Sequence, residues 1–183
     1  MSIKFIITES QLNYLVTEQL ESKKLPEHII IGDSQAPYLD NATTKAQRIS
    51  TKPGEESLWM GAQGVPWFMN AIKKFPESPE VKTVILCVGT NGSYGRVFKE
   101  NIGEFFSIIR KTFPNAKILV VQGSWGWGGL KGKVTADDVK NYYKQYEEQG
   151  GIVIDPPIGE TELSHNDIPV YKIIGSQIDS IIE

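Results

Sequence analysis

The sequence predicts an α/β sandwich built on a mostly parallel sheet, and three observations carry that prediction. Short aliphatic runs alternate with amphipathic helical stretches along the 183-residue chain. The strongest run, Val81 to Val88, is almost continuously apolar, as a strand covered on both faces must be. The polar and Gly-rich segments Gly32-Asp33-Ser34, Gly89-Thr90-Asn91 and Gly123 to Gly129 each follow an aliphatic run, which is where parallel α/β sheets keep their ligand chemistry.

Taken in order, Ile3 to Ile7 reads as a short strand or an extended lead-in. Ser10 then caps a helix whose apolar stripe is Leu12, Leu15, Val16 and Leu20. Lys23-Lys24 supplies the positive charge favoured at a helix C-terminus, and Pro26 stops the helix. Residues 1–26 are therefore expected to be an N-terminal extension packed on a single domain, 27–183. His28 to Ile31 is a short buried strand. Residues 35–56 hold turn formers without a period and read as loop, and Leu58-Trp59-Met60 reads as a short strand. A helix over 65–75 carries Pro66 in its first turn, where the missing N–H has no partner to lose. Val81 to Val88 is the central strand. A helix over 98–112 follows, with Ile102, Phe105, Phe106 and Ile109 along one face. Lys117 to Gln122 is the next strand. Thr135 caps a helix to Gln149, broken by Gly150-Gly151, and Ile152-Val153-Ile154 is the next strand. The last helix is expected over 168–182.

Composition excludes several functions. Lys and Arg number 19 against 22 Asp and Glu, a net charge of −3, with no basic run to bind nucleic acid. A lone cysteine, Cys87, forms no internal disulfide and no Cys-rich zinc site, and its place in an aliphatic run marks a buried structural thiol. No apolar stretch approaches the roughly 20 residues of a membrane span. The first nine residues do not read as a secretory signal. The expectation is a cytoplasmic protein, or one released without a signal peptide, that does not engage a membrane. The phosphate-loop pattern fails around Gly132-Lys133, where Trp127 and Val134 occupy required positions, and the dinucleotide fingerprint fails at Lys131.

One set of residues survives. A serine nucleophile needs a base, an orienting group, oxyanion donors and a turn that exposes its hydroxyl. Ser34 stands where a buried strand leaves the sheet. Gly64 offers a backbone N–H at a helix start, and Asn91 a side-chain amide after the next strand. The chain has two histidines, and His165 lies just before the last helix, with Glu162 three residues earlier. Glu160 and Asp167 compete with Glu162 to orient it, and a Ser34–His165 dyad held by a backbone carbonyl is the remaining alternative. The loop carrying Trp125 and Trp127 either offers flat faces to a substrate or caps the core.

These segments, in this order, resemble the SGNH (GDSL-like) hydrolase family over about Ile29 to Gly175. Gly32-Asp33-Ser34 resembles its first block and Gly64 its second-block glycine, with Gly61 as the fallback. Val88-Gly89-Thr90-Asn91 resembles the third block, and Glu162 with His165 the last. Gln35 stands where Leu is usual, Gly92 where Asp commonly follows the third-block Asn, and Glu162 where the family has Asp, marking a divergent member. The resemblance implies a three-layer α/β/α sandwich with a flavodoxin-like sheet of about five strands. It implies Ser34 as nucleophile, His165 as base, and an oxyanion hole of the Ser34 and Gly64 N–H groups with the Asn91 amide. It implies a metal-independent serine esterase or deacetylase with no cofactor, acting on a small-molecule or glycan ester. The alternative is a non-catalytic glycan-binding or structural module on the same fold. Oligomeric state is not legible.

Overall fold

The computed structural model describes Thr8 and residues 25–91, 101–154 and 161–182. The expected N-terminal helix, Gly92 and Glu160 lie outside the described residues. Four strands form one sheet: β1 (His28–Gly32), β2 (Thr83–Cys87), β3 (Lys117–Val121) and β4 (Ile152–Ile154). They pair in parallel, in the order β1-β2-β3-β4. Among the described residues five α-helices surround them: α1 (Ala36–Asp40), α2 (Val65–Ile72), α3 (Ile102–Thr112), α4 (Ala136–Glu148) and α5 (Ile168–Ile181).

The three layers follow from side-chain alternation along each strand. Ile29, Ile31, Val84, Leu86, Ile118 and Val120 join one core cluster, filled by Phe68 of α2, Phe105 and Phe106 of α3, and Tyr142, Tyr143 and Tyr146 of α4. Their neighbours Ile30, Ile85, Cys87, Leu119 and Val121 point the other way, into a second cluster with Ala36 and Leu39 of α1 and Tyr171, Ile174 and Ile178 of α5. Each fully buried side chain of this size contributes about 1.5–3 kcal/mol. A sheet lined on both faces by such residues therefore needs helices on both sides. Helix ends are set locally. Thr135 accepts from Asp138 N while the Asp138 carboxylate accepts from Thr135 N, a reciprocal cap, and Asn101 accepts from Glu104 N.

Two expectations need correction. Among the described residues the sheet has four strands rather than about five. Beyond β1, where a fifth would lie, single parallel bridges at Gln47 and Trp59 satisfy the strand's outer edge. Gln47 N donates to His28 O, and Gly32 N donates to Leu58 O. Leu58-Trp59-Met60 is thus a bridge rather than a strand, because Leu58 takes a left-handed φ of 55° that breaks the extended backbone. The supposed loop after Ser34 also holds the short helix α1, and Glu55–Ser57 forms a 3₁₀ turn.

Close backbone approach fixes where the last helix lies. A Cβ on Gly175 of α5 would sit 2.0 Å from Ala42 O. The Asp179 carboxylate, one helical turn on, accepts from the Thr43 hydroxyl and from Thr44 N at 2.9 Å. Burial raises its pKa, but these hydrogen bonds outweigh that and hold it below the ordinary value. Gly175→Ala should therefore destabilise the protein by about 1–3 kcal/mol through overpacking, although Ala is intrinsically the better helix former by about 1 kcal/mol. Urea melts check this, and a midpoint above wild type would show that α5 does not press on the Ala42 turn.

Candidate active site

The site lies at the carboxyl ends of the strands. Asp33 N donates to Cys87 O at 3.1 Å, joining the end of β1 to the end of β2. The chain then turns at once, as Ala36 N donates to Asp33 O at 3.1 Å and Gln35 N to the Asp33 carboxylate at 3.0 Å. Ser34 stands at the corner of this turn, with α1 leaving behind it. Gly32 has no room for a side chain, since a Cβ there would lie 2.1 Å from Cys87 Sγ. The Cys87 thiol is buried, and burial pushes its pKa up.

The structure brings Ser34 and His165 together across 131 residues, with Ser34 Oγ 2.7 Å from His165 Nε2. His165 Nδ1 lies 3.3 Å from Ser164 Oγ. For Nε2 to accept the Ser34 proton, Nδ1 must carry the other and donate it to Ser164 Oγ. Burial lowers the His165 pKa below 6.5, which leaves the ring neutral and able to accept a proton near pH 7. The loop before His165 is moored to the loop after β3, because Ser124 Oγ donates to Ser164 O at 3.0 Å and Lys131 pairs with Glu162.

That last pair corrects the expectation for Glu162. Its side chain is 82% exposed and its carboxylate meets Lys131, which holds its pKa below the ordinary value. An exposed loop acid goes to the cation that faces it, and nothing turns this one toward the imidazole. Asp167 is the exposed first residue before α5. Among the described residues no carboxylate hydrogen-bonds His165. A different group covers the ring: the Tyr38 ring centroid lies 4.9 Å from that of His165, and Tyr171 stacks behind Tyr38 at 5.1 Å.

Of the expected oxyanion donors, Asn91 gives one amide hydrogen to the Asp33 carboxylate at 2.9 Å and keeps a second. The structure sets Gly61 beside Ser34, since a Cβ there would lie 3.6 Å from Ser34 Cβ. Gly64 is the residue just before α2, extended at φ −100°. Between them Ala62 adopts a left-handed φ of 59°, uncommon outside glycine. The Ser34, Gly61 and Gly64 N–H groups donate to no group among the described residues. Trp125 and Trp127 are half-buried and pack against the larger core cluster. His28, at the far end of β1, bonds Thr83 Oγ1 at 3.1 Å, remote from this chemistry.

Superposition on known structures follows from this architecture. A protein from Veillonella parvula DSM 2008, described as a member of the lipolytic protein G-D-S-L family, aligns with a TM-score of 0.55 and 13% identity, over 84% of this chain and 96% of its own. The chain has the SGNH-hydrolase fold. A structure from Streptococcus pneumonia named for platelet activating factor aligns with a TM-score of 0.62 and 12% identity, over 96% of this chain and 100% of its own. No family model and no curated protein matches the sequence.

Sequence reasoning missed Tyr38, Ser124, Ser164 and Gln35. Gln35 Nε2 donates to Thr90 Oγ1 at 2.9 Å, and its Oε1 accepts from Tyr171 OH at 3.3 Å, so it links β1, β2 and α5.

Asp33 is fully buried, and burial raises its pKa to about 6 despite hydrogen bonds from Gln35 and Asn91. A pKa raised on folding means that the native state holds a proton the unfolded chain has lost. Asp33 therefore adds stability at acid pH that disappears as pH climbs through about 6. Relative to Asp33→Asn, wild type should gain up to about 3 kcal/mol between pH 7 and pH 4. Denaturant melts of both proteins across that range measure it, and a constant difference would mean that Asp33 does not titrate on folding.

Proposed function

We propose that the chain is a serine esterase or deacetylase that cleaves O-acyl esters through an acyl-enzyme at Ser34. The observation that carries this reading is the 2.7 Å contact between Ser34 Oγ and His165 Nε2 at the mouth of an SGNH-type sheet. A neutral imidazole there takes the hydroxyl proton as Ser34 Oγ attacks the acyl carbon. The carbonyl π electrons move onto oxygen. The resulting oxyanion would be held by the Ser34 N–H, by the Gly61 or Gly64 N–H, and by the free hydrogen of the Asn91 amide. Collapse expels the alcohol, which takes the proton back from His165. Water then repeats the sequence on the acyl-enzyme and releases the acid.

Ser164 Oγ supports the required tautomer from the Nδ1 side. Asp33 orients Asn91, because an ionised carboxylate only accepts and so the NH2 end of the amide must face it. Packing of Trp125 and Trp127 on the core favours a role in holding the loop that moors His165 over stacking on a sugar, so the reading does not depend on a glycan substrate.

Ser34→Ala and His165→Ala should each abolish hydrolysis of 4-nitrophenyl acetate and labelling by a fluorophosphonate. Glu162→Gln should keep both within about twofold, because that carboxylate serves Lys131 at the surface. Undiminished hydrolysis by Ser34→Ala would remove Ser34 as nucleophile. A collapse of activity in Glu162→Gln would restore it to a triad.

Asn91→Ala should lower kcat by about 10²–10³ with little change in KM, as expected for a donor that meets charge only in the transition state. Steady-state kinetics on the same ester decide it. A rise in KM alone would make Asn91 a ground-state contact.

A further inference from the structure

His165 is weakly held on its Nδ1 side. Its Nδ1 partner is a 3.3 Å contact to Ser164, an exposed serine on the same loop, and no described carboxylate reaches the ring. A base that must keep Nε2 aimed at Ser34 needs a wall against ring rotation, and the structure supplies one. Tyr38 lies four residues after Ser34, on α1, so one short segment carries both the nucleophile and the aromatic ring. Its ring meets the imidazole at 4.9 Å and 34°. Behind it Tyr171 lies at 5.1 Å and 15°, buried, six residues beyond His165 on α5, with its hydroxyl donating to Gln35.

We propose that Tyr38 is a positioning residue whose ring face, backed by Tyr171, holds the His165 imidazole in line with Ser34, where a carboxylate would otherwise orient it. The inference rests on reading Ser34 and His165 as the reactive pair. Contacts of this geometry are favourable between neutral rings, and become more so when the imidazole gains a proton and faces an aromatic quadrupole. The plate thus constrains the ring at rest and favours the imidazolium formed as Ser34 attacks. The contact is made by the ring and not the phenol, because the Tyr38 hydroxyl has no hydrogen-bond partner among the described residues. Tyr38 is 39% exposed, so its outer edge is free while its inner face is occupied.

The test compares wild type with Tyr38→Phe, Tyr38→Leu and Tyr38→Met. Each is assayed for fluorophosphonate labelling of Ser34, for kcat and KM on 4-nitrophenyl acetate, and for the proton resonances of the His165 ring. With two histidines in the chain, His165→Ala assigns those resonances directly. Tyr38→Phe should match wild type within about twofold in every rate and keep the upfield ring-current shift. Tyr38→Leu and Tyr38→Met should lose that shift, and label and turn over about 10- to 100-fold more slowly at similar KM, as misalignment of a base does. Thermal melts near wild type would accompany that loss. Unchanged rates and resonances in the aliphatic variants would overturn the proposal. So would a Tyr38→Phe defect as large as the aliphatic ones, or an effect confined to KM. Wild-type protein that never labels would remove the hydrolase reading, and the His165 resonances would still decide whether Tyr38 holds the ring.

Discussion

The site hangs on one buried carboxylate. Asp33 accepts from Gln35 N, from Gln35 Nε2 at 3.3 Å and from Asn91 Nδ2, while its own N–H reaches Cys87 O. Those four contacts join the end of β1 to the end of β2 and fold the chain back so that the next residue projects. Burying a carboxylate is costly unless every lone pair finds a donor. Here the donors are the groups that need placing. Gln35 extends the network to Thr90 and Tyr171, so the first strand, second strand and last helix share one polar seam through an otherwise apolar layer.

Around that seam the fold is held by close approach. Gly32 against Cys87, Gly89 against Tyr142 and Gly175 against Ala42 leave no space for even a methyl group. Tyr143 adds a polar tie, accepting from Gly123 N and donating to Val88 O, both at 2.9 Å, which sets the spacing of the loops after β2 and β3. The short β4 ends the sheet with Ile152 partly exposed, and three residues make a poor template for pairing with another chain.

The strands and longer helices were legible because burial on two faces writes itself as aliphatic runs and helical stripes, as in Val84 to Cys87 and Phe105-Phe106. Ser34, Asn91 and His165 were legible as polar residues where elements begin or end, since parallel topology gathers the strand ends. Three features were not. A five-residue helix such as α1 is too short to show a period, so Tyr38 was hidden inside an apparent loop. Glu162 has the right spacing from His165, but spacing does not reveal that Lys131, 31 residues away, lies opposite it. Gly61 and Gly64 lie three residues apart, and spacing does not reveal that Gly61 comes beside Ser34 or that Ala62 between them is left-handed.

The placement of α5 has a consequence for partly opened molecules. His165 and Tyr171 belong to the segment that docks through Gly175 and Asp179, whereas Ser34 and Tyr38 belong to the segment after β1. Local opening of one element takes less free energy than global unfolding. If α5 lifts, His165 and Tyr171 leave together, and Ser34 keeps its turn but loses its imidazole partner. Such a molecule would still hold its sheet, yet lack the Ser34–His165 contact. On the proposed reading of Ser34 as nucleophile, its reactivity would gauge whether α5 is seated.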